Sequence, residues 1–166
     1  MSEDVEATHY LTRQHRELEA ALRAALATED AGARRSRVLD IADALALHLA
    51  SEEQVFYPAV HRDATEGILL ESLEEHLAMK RLLADLLALD GAEATFEPKL
   101  HVLMEQAQHH HREEEDKLFP KARRELSVER LESLGREMQV LQTRLQQQGR
   151  PRRALSEQVD EAAPLA

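Results

Sequence analysis

The stretch His48-Leu-Ala-Ser-Glu52-Glu-Gln-Val-Phe-Tyr-Pro58 has a near copy downstream, His110-His-Arg-Glu-Glu114-Glu-Asp-Lys-Leu-Phe-Pro120. Both read H-x-x-x-E-E, then two spacer residues, a Phe-Tyr or Leu-Phe pair, and proline. His48 and His110 stand 62 residues apart, and the histidines upstream of them, His15 and His76, stand 61 apart. A constant offset of this kind marks a duplicated unit. Four residues advance a helix by about 400°, so His48 and Glu52 share one face about 6 Å apart, and His110 and Glu114 do the same.

Working outward, the apolar pattern extends each motif into a helix. Val38, Ile41, Leu45, His48, Glu52 and Val55 recur in alternating steps of three and four, as do Leu100, Leu103, Ala107, His110 and Glu114. Leu11, His15, Leu18 and Leu22 form a third stripe, and Leu69, Leu73, His76, Lys80, Leu83 and Leu87 a fourth. Each is the inward face of a bundle helix, interrupted at its middle by histidine. The spacing predicts helices over about 4–28, 34–62, 67–89 and 96–125. Gly32, Gly67 and Gly91 are each expected in a turn after a helix C-terminus. Short connections make consecutive helices antiparallel, so the fold class is all-α, an up-down-up-down four-helix bundle.

The bulk composition agrees. Hydrophobic residues make up 43% of the 166 residues but aromatics only 3%, so alanine and leucine carry the apolar content, and both favour helix. There is no cysteine, which excludes disulfides, thiolate nucleophiles and iron–sulfur ligation. A formal net charge of -11 argues against nucleic acid and against an anionic membrane surface as partners. No apolar run is long enough to span a bilayer, and the acidic N-terminus lacks a signal core; the expectation is a cytoplasmic protein.

A further helix is predicted after Ser127, a candidate N-cap, with Leu131, Leu134, Met138, Leu141 and Leu145 as its apolar stripe. The stripe packs on the bundle, as a monomer, or pairs with a second copy in a homodimer. From Gly149 onward periodicity ends, and disorder is expected. The domain plan is thus 1–126 for the bundle, 127–148 for the C-terminal helix and 149–166 for the tail.

Imidazole and carboxylate suit iron, manganese or zinc. Carboxylates buried in an apolar seam are costly unless cations neutralise them. Two divalent metals and two glutamates leave net positive charge for an oxide, a hydroxide or an anionic substrate.

The doubled H…H-x-x-x-E pattern, with E-E-x-x-F/L-Y/F-P after each pair, resembles the hemerythrin-like HHE cation-binding family over about residues 8–126. The resemblance implies a di-iron centre, oxo- or hydroxo-bridged, with manganese or zinc as alternatives. It implies His15, His48, His76 and His110 as terminal ligands and Glu52 and Glu114 as bridges. The oxygen-carrying hemerythrins have a second histidine four residues after the one matched by His76; here that residue is Lys80. They also have H-x-x-x-x-D where this chain has His110-x-x-x-Glu114. A ligand fewer leaves a coordination position open, which favours chemistry over reversible oxygen carriage. The reading is a di-iron protein, and a candidate oxidoreductase, that binds or reduces dioxygen, peroxide or nitric oxide. The alternatives are an oxygen- or iron-sensing or iron-donating module, and a structural bundle.

The remaining candidates read as surface. His109 and His111 sit about 100° either side of His110 and are expected in solvent, with His9, His61 and His101. Glu53 and Glu115 are expected on a solvated face. Lys80 either snorkels to water or stands near the open site. Pro58 and Pro120 are expected to kink or end their helices. The E-x-x-H pattern of ferritin-like sites occurs once, at Glu6-Ala-Thr-His9, and two would be needed.

Overall fold

A computed structural model describes residues 6–165; positions 4 and 5 of the first predicted helix lie outside them. Helix α1 is Ala7–Leu26, capped by the Glu6 carboxylate, which accepts from the backbone N–H groups of Thr8 and His9. Helix α2 runs over 31–60 and comprises Ala31–Ser51, a π-helical turn Glu52–Phe56, and Tyr57–Val60. Helix α3 is Glu66–Ala88. Helix α4 runs over 96–125 as Phe96–Glu113, a second π-turn Glu114–Leu118, and Phe119–Glu125. Helix α5 is Val128–Gln147, with Ser127 accepting from Arg130 N–H as anticipated. Helix α6 is Pro151–Glu157. No strand occurs among the described residues.

The four long helices close a bundle in which α1 packs on α2 and α4, and α3 on α4 and α2. Its core is two apolar clusters. One holds Leu22, Leu45, Leu83, Phe96 and Leu100; the other holds Leu11, Phe56, Leu73, Phe119 and Leu134. The histidine–glutamate layer lies between them. The α5 stripe is spent within the chain, because Leu131, Leu134, Met138 and Leu141 are buried against α1 and α2.

Three local expectations are corrected. Asp30 accepts from Ala33 N–H at 2.8 Å, so α2 begins at Ala31 and Gly32 lies in its first turn; Gly67 likewise lies in the first turn of α3. Gly91 does occupy a connection, where a Cβ would come within 2.2 Å of the Ala31 carbonyl oxygen. Pro58 and Pro120 lie inside helices that continue to Val60 and Glu125, close to the expected ends at 62 and 125. Each follows a π-turn, closed by Tyr57 N–H on Glu52 O or Phe119 N–H on Glu114 O, and its missing donor falls where the ladder changes register. The tail is not wholly irregular. Gly149 turns the chain at φ 82°, Leu155 is buried between α2 and α3, and Arg152 pairs with Asp43 at 3.1 Å. Seven residues are too few to show helical periodicity in the sequence.

Candidate metal centre

All six residues singled out by the duplicated motif converge at the centre of the bundle, none more than 1% exposed. A seventh joins them. His111, expected in solvent, is 1% exposed. It lies four residues after Ala107 and three before Glu114, so it fits the same stripe as His110. Its counterpart in the first repeat is the buried Leu49, a signal that the position faces inward.

Each of the five histidines is gripped at Nδ1 by an oxygen. His15 meets Glu115 at 2.8 Å, His48 meets Gln14 at 2.9 Å, and His76 meets Glu53 at 2.9 Å. His110 meets Glu75 at 2.6 Å and His111 meets Glu19 at 2.8 Å. An oxygen acceptor fixes the proton on Nδ1 and turns the Nε2 lone pair inward, the orientation of a metal-ligating imidazole. Glu53 and Glu115 are therefore not idle members of a solvated face. Lys80 neither snorkels nor enters the centre: it is buried, and its Nζ donates to Glu53 at 2.7 Å.

The two central carboxylates stand between two histidine groups. Glu52 Oε1 lies 3.0 Å from His48 Nε2, and its Oε2 lies 3.1 Å from His76 Nε2. Glu114 Oε1 lies 2.9 Å from His110 and 3.5 Å from His15. The donor atoms of His15, His48 and His111 fall within 4.8 Å of one another; so do those of His15, His48, Glu52 and Glu114, and those of Glu52, His76 and His110.

These atoms fit a cation. Buried side-chain polar atoms rarely lack a hydrogen-bond partner. Here His15 Nε2, His48 Nε2, His111 Nε2, Glu52 Oε1 and Glu114 Oε1 all lack one. On the other side His76 Nε2 and His110 Nε2 face each other at 3.0 Å, two lone pairs in opposition unless a proton or a metal intervenes.

The chain matches the family described as the hemerythrin HHE cation-binding domain over residues 6–122. It belongs to that family. A DNA nickase of Nostoc sp. (strain PCC 7120) is 33% identical over 103 residues, which make up 62% of this chain and 29% of that protein. This chain thus spans less than a third of that relative's length. No solved structure matches. Among the described residues no helix is long and apolar enough to cross a membrane.

In this HHE domain the central carboxylates favour the charged form of three of the imidazoles. Burial pushes the His15 imidazole down, but the carboxylates of Glu114, Glu115 and Glu52 outweigh it and carry it up to about 10. His76 and His110 are raised against burial by the same kind of contact. Burial drives His111 the other way, well below its ordinary value, helped by His15 and His48. Burial would raise Glu52, yet His48, His110 and His15 hold it well down.

One further residue escaped the sequence reading. The Tyr57 hydroxyl lies 3.1 Å from His76 Nε2, 3.2 Å from Glu114 Oε2 and 3.5 Å from Glu52 Oε2. In an α-helix a residue five beyond Glu52 would sit about 140° off its face. The π-turn between them brings it round.

Proposed function

We propose that the domain is a non-haem di-iron protein that binds or reduces dioxygen, peroxide or nitric oxide, with a role in oxidative or nitrosative defence. The observation that carries this reading is the convergence of five inward-turned imidazoles on two shared carboxylates, with the unpartnered atoms on one side and the opposed lone pairs on the other. His15, His48 and His111 would hold one metal and His76 and His110 the other, with Glu52 and Glu114 between the two histidine groups. Iron in such a set supplies one-electron chemistry and open coordination positions for small ligands.

The chain's own residues select what arrives. The donor residues are sealed, so large substrates are kept out. A cavity of about 380 Å³ between α1 and α2 has Gln14 and His48 in its lining, with apolar side chains such as Ala21 and Ile41 and the charged Glu17, Arg37 and Asp40. It gives a small molecule an approach to His48. The outer carboxylates hold each ring in place as charge at the centre changes. His111 brings the histidine count to five, so the choice of reaction over reversible carriage rests on how ligands are divided between the metals rather than on a missing histidine.

DNA nicking, the activity in the Nostoc relative's name, is not carried over: net charge -11 and a sealed centre both oppose a phosphodiester. An iron-donating or sensing module remains the second reading, favoured by protons that compete for the same donor atoms.

The test is reconstitution with ferrous iron under nitrogen, metal analysis, then optical spectroscopy on adding air, peroxide, nitric oxide or azide. Two irons per chain and spectra that change with each small molecule support the reading. One iron, or spectra indifferent to all four, overturns it.

A further inference from the structure

The two halves of the centre come from one duplicated unit and differ in a telling way. On the His15–His48 side, the third nitrogen is His111, and the residue five beyond the carboxylate is Phe119, whose ring stacks on His15 at 5.9 Å. On the His76–His110 side the equivalent of His111 is Leu49, which offers no donor, and the equivalent of Phe119 is Tyr57, stacked on His76 at 5.4 Å. One half has histidine and phenylalanine; the other has leucine and tyrosine.

The phenol oxygen lies beside His76 Nε2 in the half whose counterpart of His111 is leucine. It has one proton to offer and three electron-rich neighbours within 3.5 Å. His76 Nδ1 is already committed to Glu53, so its Nε2 presents a lone pair. Separations of 3.1–3.5 Å are short enough for these atoms to share one metal's coordination sphere. Tyr57 is 0% exposed, so its hydroxyl is packed among the residues of the centre.

We propose that Tyr57 Oη is a ligand of the metal held by His76 and His110, so that a phenolate adds a third side-chain donor to a half that has one imidazole fewer. Tyrosinate is an established iron donor in protein sites. The phenolic proton leaves to solvent as the metal binds, and no electron is transferred. The inference rests on the two-metal reading above.

The full-length protein, loaded with ferrous iron and oxidised in air, is examined by visible absorption and resonance Raman. Phenolate-to-ferric charge transfer is expected, with tyrosine ring modes enhanced, and these shift when the protein is grown on ring-deuterated tyrosine. Only two tyrosines exist, so Tyr57→Phe abolishes the band and Tyr10→Phe keeps it. Two irons per chain without tyrosine modes, or modes surviving Tyr57→Phe, overturn the assignment while leaving the two-metal reading intact. A chain that binds no metal at His76 and His110 overturns both. The isotope experiment uses unsubstituted protein, so it decides even if the variant fails to fold.

Discussion

His111 stacks on His15 with ring centroids 3.9 Å apart and planes 8° from parallel, and the Nε2 atoms of both lack a hydrogen-bond partner. Their donor atoms and that of His48 lie within 4.8 Å of one another, close enough for one cation. Replacing His111 by Leu, its counterpart in the other repeat, should weaken metal binding by more than the roughly 10–100-fold that loss of an outer-shell partner costs. The neighbouring His109 is 57% exposed, and His109→Leu should be silent. Metal titration of chelator-stripped protein reads both; equal affinities for the two variants would refute the role of His111.

Lys80 and His76 share one carboxylate, Glu53. The Lys80–Glu53 pair is 4% and 9% exposed at its side chains. Lys80→Met leaves a buried charge short of its partner, a change that costs about 3–5 kcal/mol. Denaturant unfolding of the metal-free protein measures it, and a loss below about 1 kcal/mol would place the pair with weak surface bridges.

The metal-free protein should show an inverted dependence on alkali. His15 is raised from 6.5 to about 10, so its contribution is complete below 6.5 and fades as pH climbs toward 10. His76 and His110 move the same way. Glu52 and Glu114 are lowered from 4.5, so their share is present above 4.5 and lost in acid. His111 alone acts oppositely, subtracting stability below 6.5. Stability should therefore peak between pH 4.5 and 6.5 and decline into alkali. Metal replaces the protons, so affinity rises over the same range, and iron at 100 times its Kd adds about 2.7 kcal/mol per site. Melting curves at several pH values, with iron or with chelator, test this. Metal-free protein that melts higher in alkali than at pH 6 would contradict it.

Entry along the α1–α2 cavity can be blocked without touching a ligand. Ala21→Phe narrows the wall that leads to His48. Azide binding to the iron-loaded protein should slow several-fold in stopped flow, with two irons still bound. An unchanged rate would assign entry to another route.

The bundle and the six motif residues were legible because duplication repeats the evidence: one H-x-x-x-E is weak, and two at a constant offset are not. His111 was missed because a stripe one residue wide was imposed on a face that buries two, although Ala107 and Glu114 bracket both positions. Tyr57 was hidden for a different reason. Angles counted on an α-helix place it off the face, and nothing in the residues between announces a π-turn. The roles of Gln14, Glu19, Glu53, Glu75 and Glu115 depend on contacts between helices, which spacing along one helix does not encode.

The mismatch of Leu49 with His111 has a thermodynamic corollary. Two identical pockets would fill at random, giving a mixture of half-occupied molecules. Here three imidazoles on one side face two on the other, so the two ions of the proposed centre would meet unequal affinities. The singly loaded protein is then one defined species, and an intermediate level of metal supply yields a homogeneous population rather than a statistical blend.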